Sequence, residues 1–423
     1  MAARDRVADV LPPHNVVRDP IGFATVRVAS AILAAFAALA VLVPGAVAAA
    51  GTPLNWVRWQ HIPGVLDVVG PRTDGTLMVA AGGKLFRLDP VTGQRQPFAA
   101  GPGGYPGPGG EEPYIALAAG LPVATAGCSF TQDDLFVLQL KPAGGVLRID
   151  GKGEAHSFAN VDGVASLNGI VFDATGRFGH RLLVTGSSHG LTVVAAIDCR
   201  GQVTHITDAA PRVEGGIAVA PAGFGAFGGD LVAPDELSGN LYAIAPDGSS
   251  TLLTRSGLPS GGDIGVEGVG FVPPGFAAGG AAYFADRSTP GNPHPGTDSL
   301  LRLDSQSLSG AGVREGDLLA ATEGGAAMIH VRCGQTCQVT KLVPGDTAHG
   351  EGHLLVLAAK PGPATQALPE ASDLGRYAAV QTWLVRAAAA VIVLLAVSAL
   401  TVVAVRLRRR NRGAKPLIDD PSS

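Results

Sequence analysis

Between residues 65 and 357 the chain is a succession of short apolar runs, most of four to seven residues, each closed by Gly, Pro, Asp, Asn or Ser. Runs that short, punctuated by turn formers, read as strands; an amphipathic helix would space its apolar positions three and four apart over a longer stretch. The segment FGGDLVAPDELSGNLYAIAPDGS (227–249) shows the unit: an apolar run, a turn, a second apolar run and a closing Asp-Gly. One hairpin of this kind cannot bury its own apolar face, so the unit has to recur.

It does recur. Residues 168–207 align with 215–254, each with four apolar runs in the same order. Weaker copies span 66–98, 112–158 and 267–304, and 317–343 supplies three runs of a sixth, whose missing strand comes from either 352–359 or 55–62. Four-stranded units of this length predict β-propeller blades, which cover one another's apolar faces only in a closed ring. The expected fold is all-β: a six-bladed β-propeller of four-stranded blades over residues 51–359, with the quoted segment in the middle of the fourth blade.

Two segments break the pattern. Residues 28–50 carry no charge, follow Arg4, Arg6, Arg18 and Arg27, and end in small residues after Pro44. Residues 1–50 therefore read as a cytoplasmic N-region with a signal peptide or a signal anchor. Residues 387–405 are again uncharged, long enough to cross a hydrocarbon core, and are followed by five arginines within seven residues. That pattern predicts a transmembrane helix (387–405), a basic cytoplasmic tail (406–423) and a Pro/Ala-rich stalk (360–386) that holds the ring on the extracytoplasmic side of the cell membrane. The net charge of −4 and the lack of a basic cluster within the ring argue against nucleic acid as a partner.

Cysteine usage agrees with export. Cys128, Cys199, Cys333 and Cys337 all fall in the part expected outside. An even count there predicts disulfides; Cys333 and Cys337 enclose a turn, which leaves Cys128 with Cys199. The rival reading, C-x3-C as half of a metal site, lacks a second Cys or His pair at suitable spacing.

Candidate chemistry sits where first strands begin, at Asn168-Gly169, Glu214-Gly215, Glu267-Gly268 and, in the second blade, Glu112-Pro113. Innermost strands line the channel of a propeller, so these side chains are expected to converge at one mouth. Carboxylates gathered there need a cation or donors to neutralise them, and oxygen ligands of this sort suit Ca²⁺ or another divalent cation. The plainer alternative is that they hydrogen-bond backbone N–H groups of neighbouring strands. The blade pattern and these Glu-Gly and Asn-Gly openings resemble the SMP-30/gluconolactonase and NHL-repeat propellers. That resemblance implies a channel metal held by Glu214, Glu267 and Asn168, with Glu112 a weaker fourth, that activates a lactone carbonyl for hydrolysis. The nearest counterparts to that family's catalytic Asp are Asp235 and Asp286, at the ends of second strands.

Other motifs carry less. HGEGH (349–353) has the letters of a zincin motif, but its glycines deny it a helix, and a surface turn is expected. Residues 101–110, GPGGYPGPGG, read as a flexible or polyproline-like loop. The expected function is a membrane-integral, extracytoplasmic binding module for a small-molecule ligand or a surface protein, with a divalent cation in its channel. The second reading is a metal-dependent hydrolase of a lactone or small ester, which fold analogy alone cannot carry.

Overall fold

The computed structural model describes residues 54–107, 110, 112–141 and 144–359. The signal or anchor segment, the stalk, the membrane span and the basic tail lie outside the described residues. Among those described, no helix is long and apolar enough to cross a membrane. The ring is one unit that ends at Ala359.

After β1 (Val57–His61), whose role appears below, four blades follow in simple succession, each built from the channel outward. Blade one is β2 (Val65–Val69), β3 (Leu77–Ala81), β4 (Lys84–Leu88) and β5 (Arg95–Phe98). Blade two begins with β6 (Ile115–Leu117), carries a small inserted hairpin of β7 (Pro122–Val123) and β8 (Cys128–Ser129), and continues with β9 (Leu135–Gln139), β10 (Gly145–Ile149) and β11 (Ala155–Asn160). Blade three is β12 (Ser166–Phe172), β13 (Leu182–Ser188), β14 (Leu191–Ile197) and β15 (Val203–Ala210). Blade four is β16 (Ala218–Val219), β17 (Leu231–Asp235), β18 (Asn240–Ile244) and β19 (Ser250–Arg255).

The last two blades interleave. After β20 (Val266–Phe271) the chain makes β21 (Ala281–Asp286) and β22 (Ser299–Asp304), then turns back through a short helix (Ser305–Gly310) capped by the Asp304 carboxylate. It continues with β23 (Leu318–Thr322), β24 (Met328–Cys333), β25 (Cys337–Val343) and β26 (Gly350–Leu357). Blade five is β20-β23-β24-β25, and blade six, from the channel outward, is β26-β21-β22-β1. Residues 267–304 are therefore not one blade, and the two candidates for a missing strand both serve, as the inner and outer strands of blade six. The hairpin β21–β22 looks like the second and third strands of any blade, so the repeat does not say which first strand it joins. Packing decides. A Cβ at Gly270 would lie 1.9 Å from the Leu354 carbonyl oxygen and one at Gly268 would lie 2.6 Å from that of Gly352, so β26 beds directly on the backbone of β20. β1, from the other end of the chain, pairs with β22 and closes the ring.

Six buried clusters lie one at each junction between neighbouring blades. Strand alternation divides the side chains between them. In β3, Leu77, Val79 and Ala81 pack toward blade six, whereas Met78 and Ala80 pack toward blade two. Such strands are buried along their whole length, as β2, β3, β17, β21 and β23 are. Outer strands such as β5 and β19 are largely exposed. Cys128–Cys199 ties the inserted hairpin of blade two to blade three, and Cys333–Cys337 staples β24 to β25, both as the sequence predicts. Residues 101–107 are less free than expected: the Tyr105 N–H donates to the Ala99 carbonyl (2.8 Å), and its ring packs on the junction of blades one and two.

Candidate metal centre at the channel mouth

The first strands meet as predicted, and they do so through their backbones. The Gly215 N–H donates to the Asn168 carbonyl (3.1 Å) and the Gly216 N–H to that of Glu267 (2.8 Å), which links blades three, four and five. Gly215 holds φ at +80°, and a Cβ there would lie 2.1 Å from the Glu267 carbonyl oxygen, so no other residue fits.

Inside this ring of backbone a cluster of acids is buried. The Tyr114 hydroxyl donates to Glu267 Oε1 (2.8 Å) and lies 3.4 Å from Glu351 Oε2. Arg287 Nη1 approaches Glu351 Oε1 at 3.1 Å. His349 Nε2 stands 2.9 Å from Glu323 Oε1 and 3.6 Å from Glu351 Oε1, while its Nδ1 is buried without a hydrogen-bond partner. Glu323 also meets the carboxyl of Glu236, whose Oε1 accepts the Ile264 N–H (3.2 Å).

Charge is oversubscribed here. Burial, with the neighbouring charges of Glu351, Glu323 and Glu112, pushes Glu267 far above the usual carboxylate range. Burial raises Glu323 to about 8, against the pull of its bond to His349. Burial alone would lower His349, but its bonds to Glu323 and Glu351 prevail and raise it to about 9. Burial and then Glu267 hold Tyr114 well above its ordinary value, so it stays a donor. The acids thus keep protons at neutral pH that a cation could displace.

Glu323, His349 and Glu351 each offer one ligand atom, all within 4.8 Å of one another; Glu236, Asp263 and Glu323 form a second such group. Two carboxylate oxygens and an imidazole nitrogen suit Mn²⁺ or Zn²⁺ better than Ca²⁺, which takes oxygen ligands. The donor set, its burial and the unpartnered ring nitrogen of His349 fit a divalent cation.

The four residues expected as ligands divide. Glu267 lies in the buried cluster, and the charge of Glu112 acts on it and on Arg287. Asn168, Glu214 and Glu112 line a neighbouring cavity of about 430 Å³. There Asn168 Nδ2 donates to the Val213 carbonyl (2.8 Å) and Glu214 is held by Arg212 (2.6 Å), partners closer to the plainer reading than to a metal site. HGEGH is not a surface turn. It runs into β26, and His349, Glu351 and His353 are all buried. Its last histidine is a closure: His353 Nδ1 is 3.0 Å from both Asp67 oxygens and Nε2 is 2.8 Å from the Ile170 carbonyl. Both ring nitrogens donate, so His353 is an imidazolium, and the charge of Asp67 raises its pKa against burial.

The two aspartates proposed as catalytic counterparts each miss by one residue. Asp235 accepts from the Leu237 N–H and the Ser238 hydroxyl, and Asp286 from the Thr297 hydroxyl and the His349 N–H (2.8 Å). Their successors, Glu236 and Arg287, are the ones that reach the cluster. The cue that could have found them is positional, since Glu236, Glu323 and Arg287 all follow the second strand of a blade.

No family model matches the sequence, and no curated protein sequence matches it. Solved structures similar to it include virginiamycin B lyase from Staphylococcus aureus, at 11 % identity and a TM-score of 0.39, over 71 % of this chain and 91 % of that one. A calcium-binding protein, regucalcin, from Agrobacterium tumefaciens is 12 % identical with a TM-score of 0.40, over 70 % and 80 %. A gluconolactonase-like protein is 16 % identical with a TM-score of 0.33, over 55 % and 71 %. The six-bladed, four-stranded ring rests on the strand pairing itself.

Proposed function

We propose that the ring is a ligand-binding module on the extracytoplasmic side of a membrane, with a divalent cation held at its channel mouth by Glu323, His349 and Glu351. The observation that carries this reading is the surplus of buried acid around one imidazole: three ligand atoms within 4.8 Å, of which Glu323 and His349 hold protons at neutral pH. Exchanging those protons for a cation relieves the repulsion between the carboxylates. The outer location is supported by the two disulfides and by the arginine-flanked apolar run at residues 387–405. A second reading, a metal-dependent hydrolase of a lactone or small ester, is favoured by Glu323, raised to about 8. A carboxyl that holds its proton at neutral pH beside a metal is suited to act as an acid.

The test is the melting temperature of the full-length chain in detergent with Mn²⁺, with Ca²⁺ and with EDTA. Mn²⁺ is expected to stabilise the parent by about 2.7 kcal/mol at a hundredfold excess over Kd. His349→Ala and Glu323→Gln are expected to abolish that gain. Equal gains in all three proteins would remove the cation from this site.

A further inference from the structure

A second cavity, of about 320 Å³, opens between blades one and two, on the far side of Pro113 from the cavity that Glu112 lines. Its lining differs in sign from the buried acid cluster of Glu236, Glu267, Glu323 and Glu351. It includes Lys84 and Arg287 and, among the described residues, no carboxylate. Lys84 is the exposed first residue of β4 and makes no ion pair among the described residues. Arg287 reaches Glu351 through Nη1 alone, and its remaining N–H groups have no partner among the described residues. Tyr105 lines the same cavity, and its hydroxyl is buried without a hydrogen-bond partner. Gly82 and Gly83 leave one wall bare of side chains, while Leu66 gives another an apolar surface.

We infer that this cavity is an anion subsite that takes a carboxylate or phosphate group carried on a small apolar body. The reasons are chemical. A guanidinium with spare donors and an ammonium without a partner are the groups that recognise such anions, by forked hydrogen bonds and by point charge. Two cations face this cavity with no carboxylate among its described lining residues. The bare glycine wall admits the group, and the apolar wall receives the body that carries it. This inference deepens the binding-module reading and rests on it, but it needs no metal.

The experiment is isothermal titration of the full-length chain in detergent, in EDTA, with phenylacetate, phenyl phosphate and the neutral 2-phenylethanol. Phenylacetate or phenyl phosphate is expected to bind and the alcohol to bind at least about tenfold more weakly, as loss of a charge-assisted hydrogen bond implies. Whichever anion binds tighter identifies the natural headgroup. Lys84→Glu, a change at the exposed first position of β4, is expected to lower anion affinity at least about tenfold, with the alcohol unaffected. Equal binding of anion and alcohol, unchanged affinity in Lys84→Glu, or no binding of either anion would overturn the subsite. Because EDTA is present throughout, those outcomes are separate from failure of the metal centre.

Discussion

Two histidines four residues apart, His349 just before β26 and His353 within it, are both buried against carboxylates, and their surroundings are opposites. Around His353 one acid meets one base, and every hydrogen-bonding site is taken. Asp67 accepts from the ring and from the backbone N–H groups of Val68 (2.8 Å), Ile115 (2.8 Å) and His353 (2.9 Å), and the ring's second nitrogen has the Ile170 carbonyl. Around His349 one imidazole serves two carboxylates; one of them is shared with Arg287 and the other with Glu236, and a ring nitrogen is left over. The first arrangement joins blades six, one, two and three and asks for nothing more. The second is short of positive charge. The same residue type, four positions apart, is thus structural in one place and poised for a ligand in the other, and the difference lies in the balance of partners.

The largest effect that tests this contrast comes from the closed pair. His353→Ala leaves the Asp67 charge buried without its cation and is expected to cost about 3–5 kcal/mol in urea denaturation. His349→Ala, in EDTA, is expected to cost about 1 kcal/mol, because Glu323 already holds a proton at neutral pH and replaces the lost donor by keeping it. Equal losses in the two variants would break the distinction.

A smaller effect comes from pH. Glu323 titrates at about 8 in the folded ring against an ordinary 4.5, and His349 at about 9 against 6.5. Both groups bind protons more tightly folded than unfolded, so stability falls as pH rises. The part due to His349 is complete below its ordinary value and is lost as pH climbs through about 9; the part due to Glu323 declines from 4.5 up to about 8. Melting temperature in EDTA is therefore expected to drop between about pH 6 and pH 9, and less steeply in Glu323→Gln. A rise over that range would contradict the sign of both shifts.

Much of the ring was legible before any coordinates, because strand runs such as LMVAA and LVAPD and the turns between them are local signals. The interleaving of blades five and six was not, because β21–β22 carries no mark of which first strand it accompanies. What fixes it is the close approach of Gly268 and Gly270 to β26, some eighty residues later. The site was half legible. Glu267 could be placed at the mouth because it opens an inner strand. Glu323, His349 and Glu351 were missed for two different reasons. HGEGH has the letters of a helix motif, although it runs into a strand. Asp235 and Asp286 end their strands one residue before Glu236 and Arg287, and one step along a strand turns a side chain to the opposite face.

The central claim, that the channel acids exchange protons for a divalent cation, is tested most directly by counting those protons. Calorimetric titration of Mn²⁺ near pH 7.5, in two buffers of different ionisation enthalpy, gives the number released per ion bound. With Glu323 at about 8 and His349 at about 9, both groups surrender their protons to the metal, so release of between one and two protons per ion is predicted, roughly the sum of the two occupancies. The count is expected to fall toward zero as pH is raised past about 9, where both groups are already deprotonated. Binding without proton release at pH 7.5, or binding that survives in His349→Ala and Glu323→Gln, would place the ion elsewhere and leave the buried acids as part of the scaffold.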